Sequence, residues 1–200
     1  MIYEIDQGAE HDKVGDRIPS TTVYSRVRDE SVGGTNPFRW DLKHSGDYFA
    51  NRRVVFFSLP GAFTPTCSTY QLPTFEEKFE EFALCGIDGI ICASVNDAFV
   101  MKCWGDQQNV KKVELFPDGN GDFTGRMNML IDKQHLGFGS RSWRYAMVVN
   151  DGVIEAFWEE PGINYDGSDA DPYGETSPQN ILDYLYNNVT YLTEVKNETE

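Results

Sequence analysis

The sequence predicts an α/β domain in three layers: a central mixed sheet flanked by helices, with extra strands at its N-terminal end. Two apolar runs, Val54–Leu59 and Gly89–Val95, are continuous rather than alternating, as in strands buried on both faces. Between them Phe75, Phe79 and Phe82 recur at helical spacing, with Glu76, Glu77, Lys78, Glu80 and Glu81 turned outward. A strand, a crossover helix and a strand make a parallel pair. Later, Tyr145–Asn150 and Val153–Trp158 flank Asp151-Gly152, the signature of a tight hairpin, which adds antiparallel strands.

The elements follow in order. Residues 1–13 are polar and are expected to form a flexible N-terminal segment. Thr21–Val27 alternates as a strand. The turn-rich stretch Asp29–Pro37 leads to a short strand with Phe38, Trp40 and Leu42 on one face, a hairpin partner for the first. After Val54–Leu59, Pro60-Gly61 breaks the strand, and a helix begins near Thr64-Pro65. Pro73 restarts or kinks that helix, and Gly86 is placed to end it. Asn96-Asp97 caps the next helix, from Ala98 to about Gln107. Val113–Pro117 is a short strand, Asp118–Asp122 a turn, and Phe123–Leu130 a short helix. The turn lacks the acidic twelfth position of a calcium loop, which is Met129 here. A Gly/Asp/Pro-rich loop, Pro161–Pro178, opens into a last helix with Ile181, Leu182, Leu185 and Val189 on its apolar face. Residues 191–200 read as an acidic tail. One domain, residues 14–190, thus carries a thioredoxin-like three-layer pattern.

The 200 residues carry a net charge of −15, which disfavours nucleic acid and anionic membrane as partners. The N-terminus has neither the apolar core of a signal peptide nor the arginine-rich, acid-poor pattern of a transit peptide, so a cytoplasmic protein is expected. The four cysteines, Cys67, Cys85, Cys92 and Cys103, form no C-x-x-C pair and no zinc spacing. No metal and no cofactor are expected.

Cys67 stands apart from the other three. Thr64 reads as the N-cap, Pro65 as N1 and Cys67 as N3 of the helix after the strand. A sulfur there faces free amide donors and the positive end of the helix dipole, which favour thiolate over thiol. A core cysteine needs no such flank; Cys85, Cys92 and Cys103 read as structural.

The segment Pro60-Gly-Ala-Phe-Thr64-Pro-Thr-Cys67 matches the P-x-x-x-T-x-x-C signature of peroxiredoxins, and its fuller form resembles the Prx5-type subfamily. Ser94–Met101, Phe116–Gly121 and Leu136–Val149 continue the likeness, especially to the bacterial peroxiredoxin–glutaredoxin hybrids, of which only the peroxidase part is expected within these 200 residues. The resemblance implies a thiol peroxidase that reduces hydrogen peroxide and alkyl hydroperoxides. Cys67 would be the attacking sulfur, Thr64 its hydrogen-bond partner, Pro60 its shield and Arg144 the active-site arginine. Arg141 is the nearby alternative, read instead as a surface-loop residue. Some relatives carry a resolving cysteine before the last helix; Pro161–Pro178 has none. An external thiol is therefore expected to reduce the oxidised sulfur, glutathione with glutaredoxin before thioredoxin, with Cys85 or Cys103 left open as an unusual resolver. A homodimer is expected, with exposed aromatics beside the site as its interface. The missing C-x-x-C speaks against a thioredoxin-type reductase; a redox sensor would react at Cys67 without turning over.

Overall fold

The computed structural model describes residues 13–164 and 171–198, with side chains through residue 188. The expected flexible segment at the N-terminus falls almost wholly outside them. The central sheet has five strands: β3 (Arg53–Leu59), β4 (Gly89–Ser94), β5 (Glu114–Pro117), β8 (Tyr145–Asn150) and β9 (Val153–Glu159), in the order β5-β4-β3-β8-β9. The pairings β3–β4 and β4–β5 are parallel; β3–β8 and β8–β9 are antiparallel. The crossover helices and the late hairpin thus give the mixed sheet expected of them. The hairpin turns at Asp151 (φ 46°) and Gly152 (φ 78°), both left-handed, as a two-residue turn with the strand twist requires.

Alternate residues of β3 serve opposite cores. Val55, Phe57 and Leu59 pack with Leu72, Phe75, Phe82, Met101, Trp104, Ile181, Leu182 and Leu185. Val54 and Phe56 pack with Phe49, Ile91, Phe116, Phe123 and Met147 on the other side. The rings of Phe57 and Phe75 stack at 4.0 Å, fixing the helix that follows β3 against the sheet.

That helix has three pieces. A π-helical turn covers Cys67–Gln71, α1 is Leu72–Glu77 and α2 is Phe79–Leu84, with the break at Lys78. Gly86 ends it: Gly86 N donates to Ala83 O and Ile87 N to Phe82 O, the paired closing bonds of a left-handed glycine cap. On the following segment, α3 (Ala98–Gln107) is capped by Asp97, whose Oδ1 accepts from Phe99 N and Val100 N.

The strands β1 (Thr22–Arg28) and β2 (Phe38–His44) form their own two-stranded antiparallel sheet. Trp40 and Leu42 remain 54% and 61% exposed, so the apolar face of β2 is not a core face. The Arg26 guanidinium lies over the rings of Phe38, Trp40 and Phe99, which bridges this hairpin to α3.

Two expectations need correction. The helix expected over Phe123–Leu130 is α4, Asp122–Arg126. Buried Asp118 accepts from Phe123 N and Thr124 N and fixes its start, and left-handed Asn128 (φ 56°) ends it, with Asn128 N donating to Gly125 O and Met129 N to Thr124 O. Leu130 instead opens β6 (Leu130–Asp132), which pairs with β7 (Ser140–Ser142) in a hairpin too short to show a period in the sequence. Finally, α5 runs from Pro178 to Glu198, so residues 191–198 of the expected tail continue the last helix.

Candidate active site

Strands β3, β4 and β5 end level with one another, at Leu59, Ser94 and Pro117. Such a carboxyl edge of a parallel sheet is where α/β folds place their sites. The chain leaves β3 at half-buried Pro60 and turns back within a few residues. Thr64 Oγ1 donates to Gly61 O (2.7 Å). Ala62 N donates to Asn96 Oδ1 (3.0 Å), which also accepts from Ser94 Oγ (2.7 Å), so the loop is moored to the end of β4. A Cβ on Gly61 would lie 3.2 Å from Thr64 Cγ2 and 3.3 Å from Arg141 Nη1, so the turn leaves little room for a side chain. Phe63 holds a left-handed φ of 65°, a conformation that costs a bulky L-residue about 1–2 kcal/mol.

Thr64 O accepts from Ser68 N (3.0 Å), the first bond of the helix, so Thr64 does stand at the cap. Its hydroxyl, however, is used to curl the loop by donating to Gly61, where the sequence suggested an acceptor for a helical N–H. From Cys67 the helix widens: Leu72 N bonds Cys67 O, five residues back. Pro73 gives a reason. It has no N–H, and its ring crowds the carbonyl four residues before it in a regular α-turn. Thr74 Oγ1 donates to the carbonyls of Tyr70 and Gln71 beside it. Single π turns of this kind gather at functional sites.

Cys67 is fully buried. Arg144, just before β8, is also buried, and its Nη1 donates to Cys67 Sγ at 3.5 Å. The same nitrogen donates to Gln71 Oε1, Nη2 pairs with Asp171 Oδ1, and Nε donates to Pro172 O (3.0 Å). The Tyr173 ring covers the guanidinium at 5.5 Å. Burial by itself works to lower the Arg144 pKa. The charges of a Cys67 thiolate and of Asp171, with their hydrogen bonds, outweigh it and push the value above the usual arginine range. A buried guanidinium aimed at a sulfur is a fixed positive charge where negative charge gathers or departs.

The structure thus brings Cys67 and Arg144 into contact and puts Thr64 and Pro60 in the loop leading to them. Arg141 is not a loop residue. It lies half-buried in β7, where its Nη1 donates to Val95 O and its Nε to Phe138 O, bracing the edge that carries Gly61. Burial lowers its pKa.

Sequence reasoning missed Gln71, Asp171, Tyr173 and Trp104. The last is fully buried and donates from Nε1 to Ser68 Oγ (3.0 Å), pinning the turn that carries Cys67. Only Gln71 left a trace, as a polar residue on the inward side of an apolar helix. The loop residues come from far along the chain, where no periodicity marks them.

Cys85 lies elsewhere, while Cys92 shares the core that holds Cys67 and lies near enough to feel its charge. Cys85 sits by the start of β3, where its carbonyl accepts from Arg53 Nη1; Cys67 follows the end of β3, a strand length of about 20 Å away. Cys92 is fully buried in β4, and Cys103 is exposed on α3. Among the described residues no group of three or more His, Cys, Asp or Glu could hold a metal ion, and no helix is long and apolar enough to cross a membrane.

A mixed five-stranded sheet with one buried cysteine at the helix after its central strand, touched by a buried arginine, defines a thiol-based redox enzyme of thioredoxin-like fold. Comparison with known proteins narrows the class. Residues 13–172 match the Redoxin family. A peroxiredoxin of Sinorhizobium fredii is 56% identical over 84% of this chain and 89% of its own length. The hybrid peroxiredoxin hyPrx5 of Haemophilus influenzae is 40% identical over 86% of this chain and 65% of its own length. Among solved structures, the Plasmodium falciparum antioxidant protein, described as a 1-Cys peroxiredoxin, superposes with a TM-score of 0.79 at 33% identity, covering 86% of this chain and 99% of its own. The chain belongs to the Redoxin family and, within it, to the Prx5-type peroxiredoxins. It is accordingly an oxidoreductase that reduces peroxides at the expense of thiols.

Proposed function

We propose that this peroxiredoxin reduces hydrogen peroxide and alkyl hydroperoxides through Cys67 in a one-Cys cycle. The Cys67 thiolate attacks the nearer peroxide oxygen. The S–O bond forms as the O–O bond breaks, the departing oxygen takes up a proton as water or alcohol, and the sulfur becomes a sulfenic acid. Arg144 stabilises the negative charge moving onto the departing oxygen. Thr64, whose hydroxyl hydrogen goes to Gly61 O, offers its oxygen as an acceptor to the peroxide, and Pro60 screens the sulfur from bulk water. An external thiol then attacks the sulfenate, releasing water, and a second thiol frees Cys67. Glutathione with a separate glutaredoxin is the preferred donor, with thioredoxin second; no metal or bound cofactor takes part. We place the enzyme in the cytoplasm as a homodimer.

One observation carries the reading: the 3.5 Å contact between Arg144 Nη1 and the buried sulfur of Cys67. The one-Cys form is supported by the absence of cysteine from residues 161–178 and by the distance of Cys85. The glutathione route rests on likeness to a relative named as a hybrid peroxiredoxin. Two measurements test the proposal. Cys67→Ser should abolish peroxide consumption. Mass spectrometry of the peroxide-treated protein should find a sulfenate or glutathione adduct on Cys67; an internal disulfide would refute the one-Cys cycle.

A further inference from the structure

We propose that Asp171 is a positioning residue for Arg144, the charged end of a strap formed by residues 171–176 that Glu160 ties down. The inference rests on the reading of Cys67 and Arg144 given above. Three sides of the guanidinium are spoken for. Nη2 meets the Asp171 carboxylate, Nε meets the Pro172 carbonyl at 3.0 Å, and the Tyr173 ring lies over the plane. Only Nη1 is turned to the sulfur, sharing itself with Gln71 Oε1. The Tyr173 hydroxyl comes within 3.5 Å of Thr74 Oγ1 on α1, which ties the strap to the helix that carries Cys67.

The far end of the strap is held by a carboxylate that pairs with no cation among the described residues. Glu160 is 1% exposed, and its Oε1 accepts from Gly174 N (2.8 Å), Thr176 N (2.8 Å) and Thr176 Oγ1 (2.7 Å). Its own backbone N–H donates to Arg144 O (3.1 Å), so the anchor sits on the rung beside the residue being positioned. Three donors on one carboxylate oxygen satisfy a buried charge that would otherwise be costly.

The chemistry gives the strap a purpose. A guanidinium whose anionic partner was the thiolate alone would lose that partner at every turnover, because the sulfenic acid is neutral. The charge on Asp171 does not change during the cycle. It therefore holds Arg144 aimed at the same point whether the sulfur is reduced or oxidised. This strap occupies the loop before the last helix and carries no cysteine.

The test separates aim from integrity by comparing two reactions of Cys67. Hydrogen peroxide needs the thiolate and an aligned guanidinium on the departing oxygen. Iodoacetamide needs the thiolate alone. In Asp171→Asn, kcat/KM for hydrogen peroxide should fall about tenfold, while the alkylation rate of Cys67 stays within about threefold. Asp171→Glu should recover most of the loss, and Glu160→Gln should show a smaller fall in the same sense. Asp171 is 43% exposed, so its replacement should leave the fold intact. Three results would overturn the proposal: an unchanged peroxide rate in Asp171→Asn, equal losses in both reactions, or no recovery in Asp171→Glu. Peroxide consumption surviving Cys67→Ser would instead sink the underlying reading of the site, and that outcome is distinct from all three.

Discussion

Replacing Arg144 with Met is the sharpest perturbation of this site, because it keeps the length of the side chain while removing its charge. Nη1 lies 3.5 Å from the sulfur. At that separation a unit charge pair is worth about 5 kcal/mol at an effective dielectric constant of about 20. Asp171, paired with the neighbouring Nη2, carries the reverse sign to the guanidinium and cancels part of this. Roughly half is left, about 2–3 kcal/mol, which corresponds to a rate loss of about 30- to 150-fold. That range overlaps the low end of what removing one oxyanion donor costs other enzymes, about 100- to 1,000-fold. Arg144→Lys should fall between the variant and the wild type, since an ammonium restores charge but cannot hold Pro172 O, Asp171 and the sulfur together. Stopped-flow tryptophan fluorescence on mixing with hydrogen peroxide gives the rate constant. A peroxide rate for Arg144→Met within about threefold of the wild type would refute the electrostatic account of this site.

Other outcomes follow from neighbouring contacts. Trp104→Phe removes the bond to Ser68 Oγ and part of a fully buried ring, so it should lower unfolding free energy by about 2 kcal/mol in urea titrations; an unchanged midpoint would show that the turn is held by other means. Cys85→Ser and Cys103→Ser should each keep peroxide turnover with an external thiol within about twofold of the wild type, and a loss beyond about tenfold would point to an internal resolving sulfur. Burial raises the Asp118 pKa, against hydrogen bonds from Thr124, Phe123 and Asp122 that lower it. The folded protein thus holds this proton more tightly than the unfolded chain, where aspartate titrates near about 3.9. Its contribution is complete below that pH and is lost as pH rises through the folded value. Asp118→Asn should flatten this part of the stability profile above about pH 4, and a profile parallel to the wild type would contradict the assignment.

Much of this molecule is written in local pattern. Continuous apolar runs mark β3 and β4, Asp97 announces α3, and Asp151-Gly152 announces the β8–β9 turn, because each signal is a property of adjacent residues. The proposed nucleophile is legible for the same reason: Pro60, Thr64 and Cys67 sit on one loop and helix start. Contacts made across the sheet leave no such mark. Asp171 and Pro172 reach Arg144 from 27 and 28 residues along the chain, and Gln71 reaches it from 73. The β6–β7 hairpin has only three-residue strands, too few to show a period. The N-cap reading of Thr64 was right in position and wrong in use, since a hydroxyl can donate as well as accept, and here Gly61 O takes its hydrogen.

The left-handed Phe63 beside Thr64 bears on any attempt to harden this protein. Repairs that let residue 63 relax would improve thermal tolerance on paper while swinging the hydroxyl of its neighbour off its mark. Screens that reward survival at high temperature, without also reading peroxide turnover, would collect such variants first. The backbone bend at this loop is therefore a place to leave untouched, and reinforcement is better aimed at the distant β1–β2 hairpin, where Trp40 and Leu42 stand open to water.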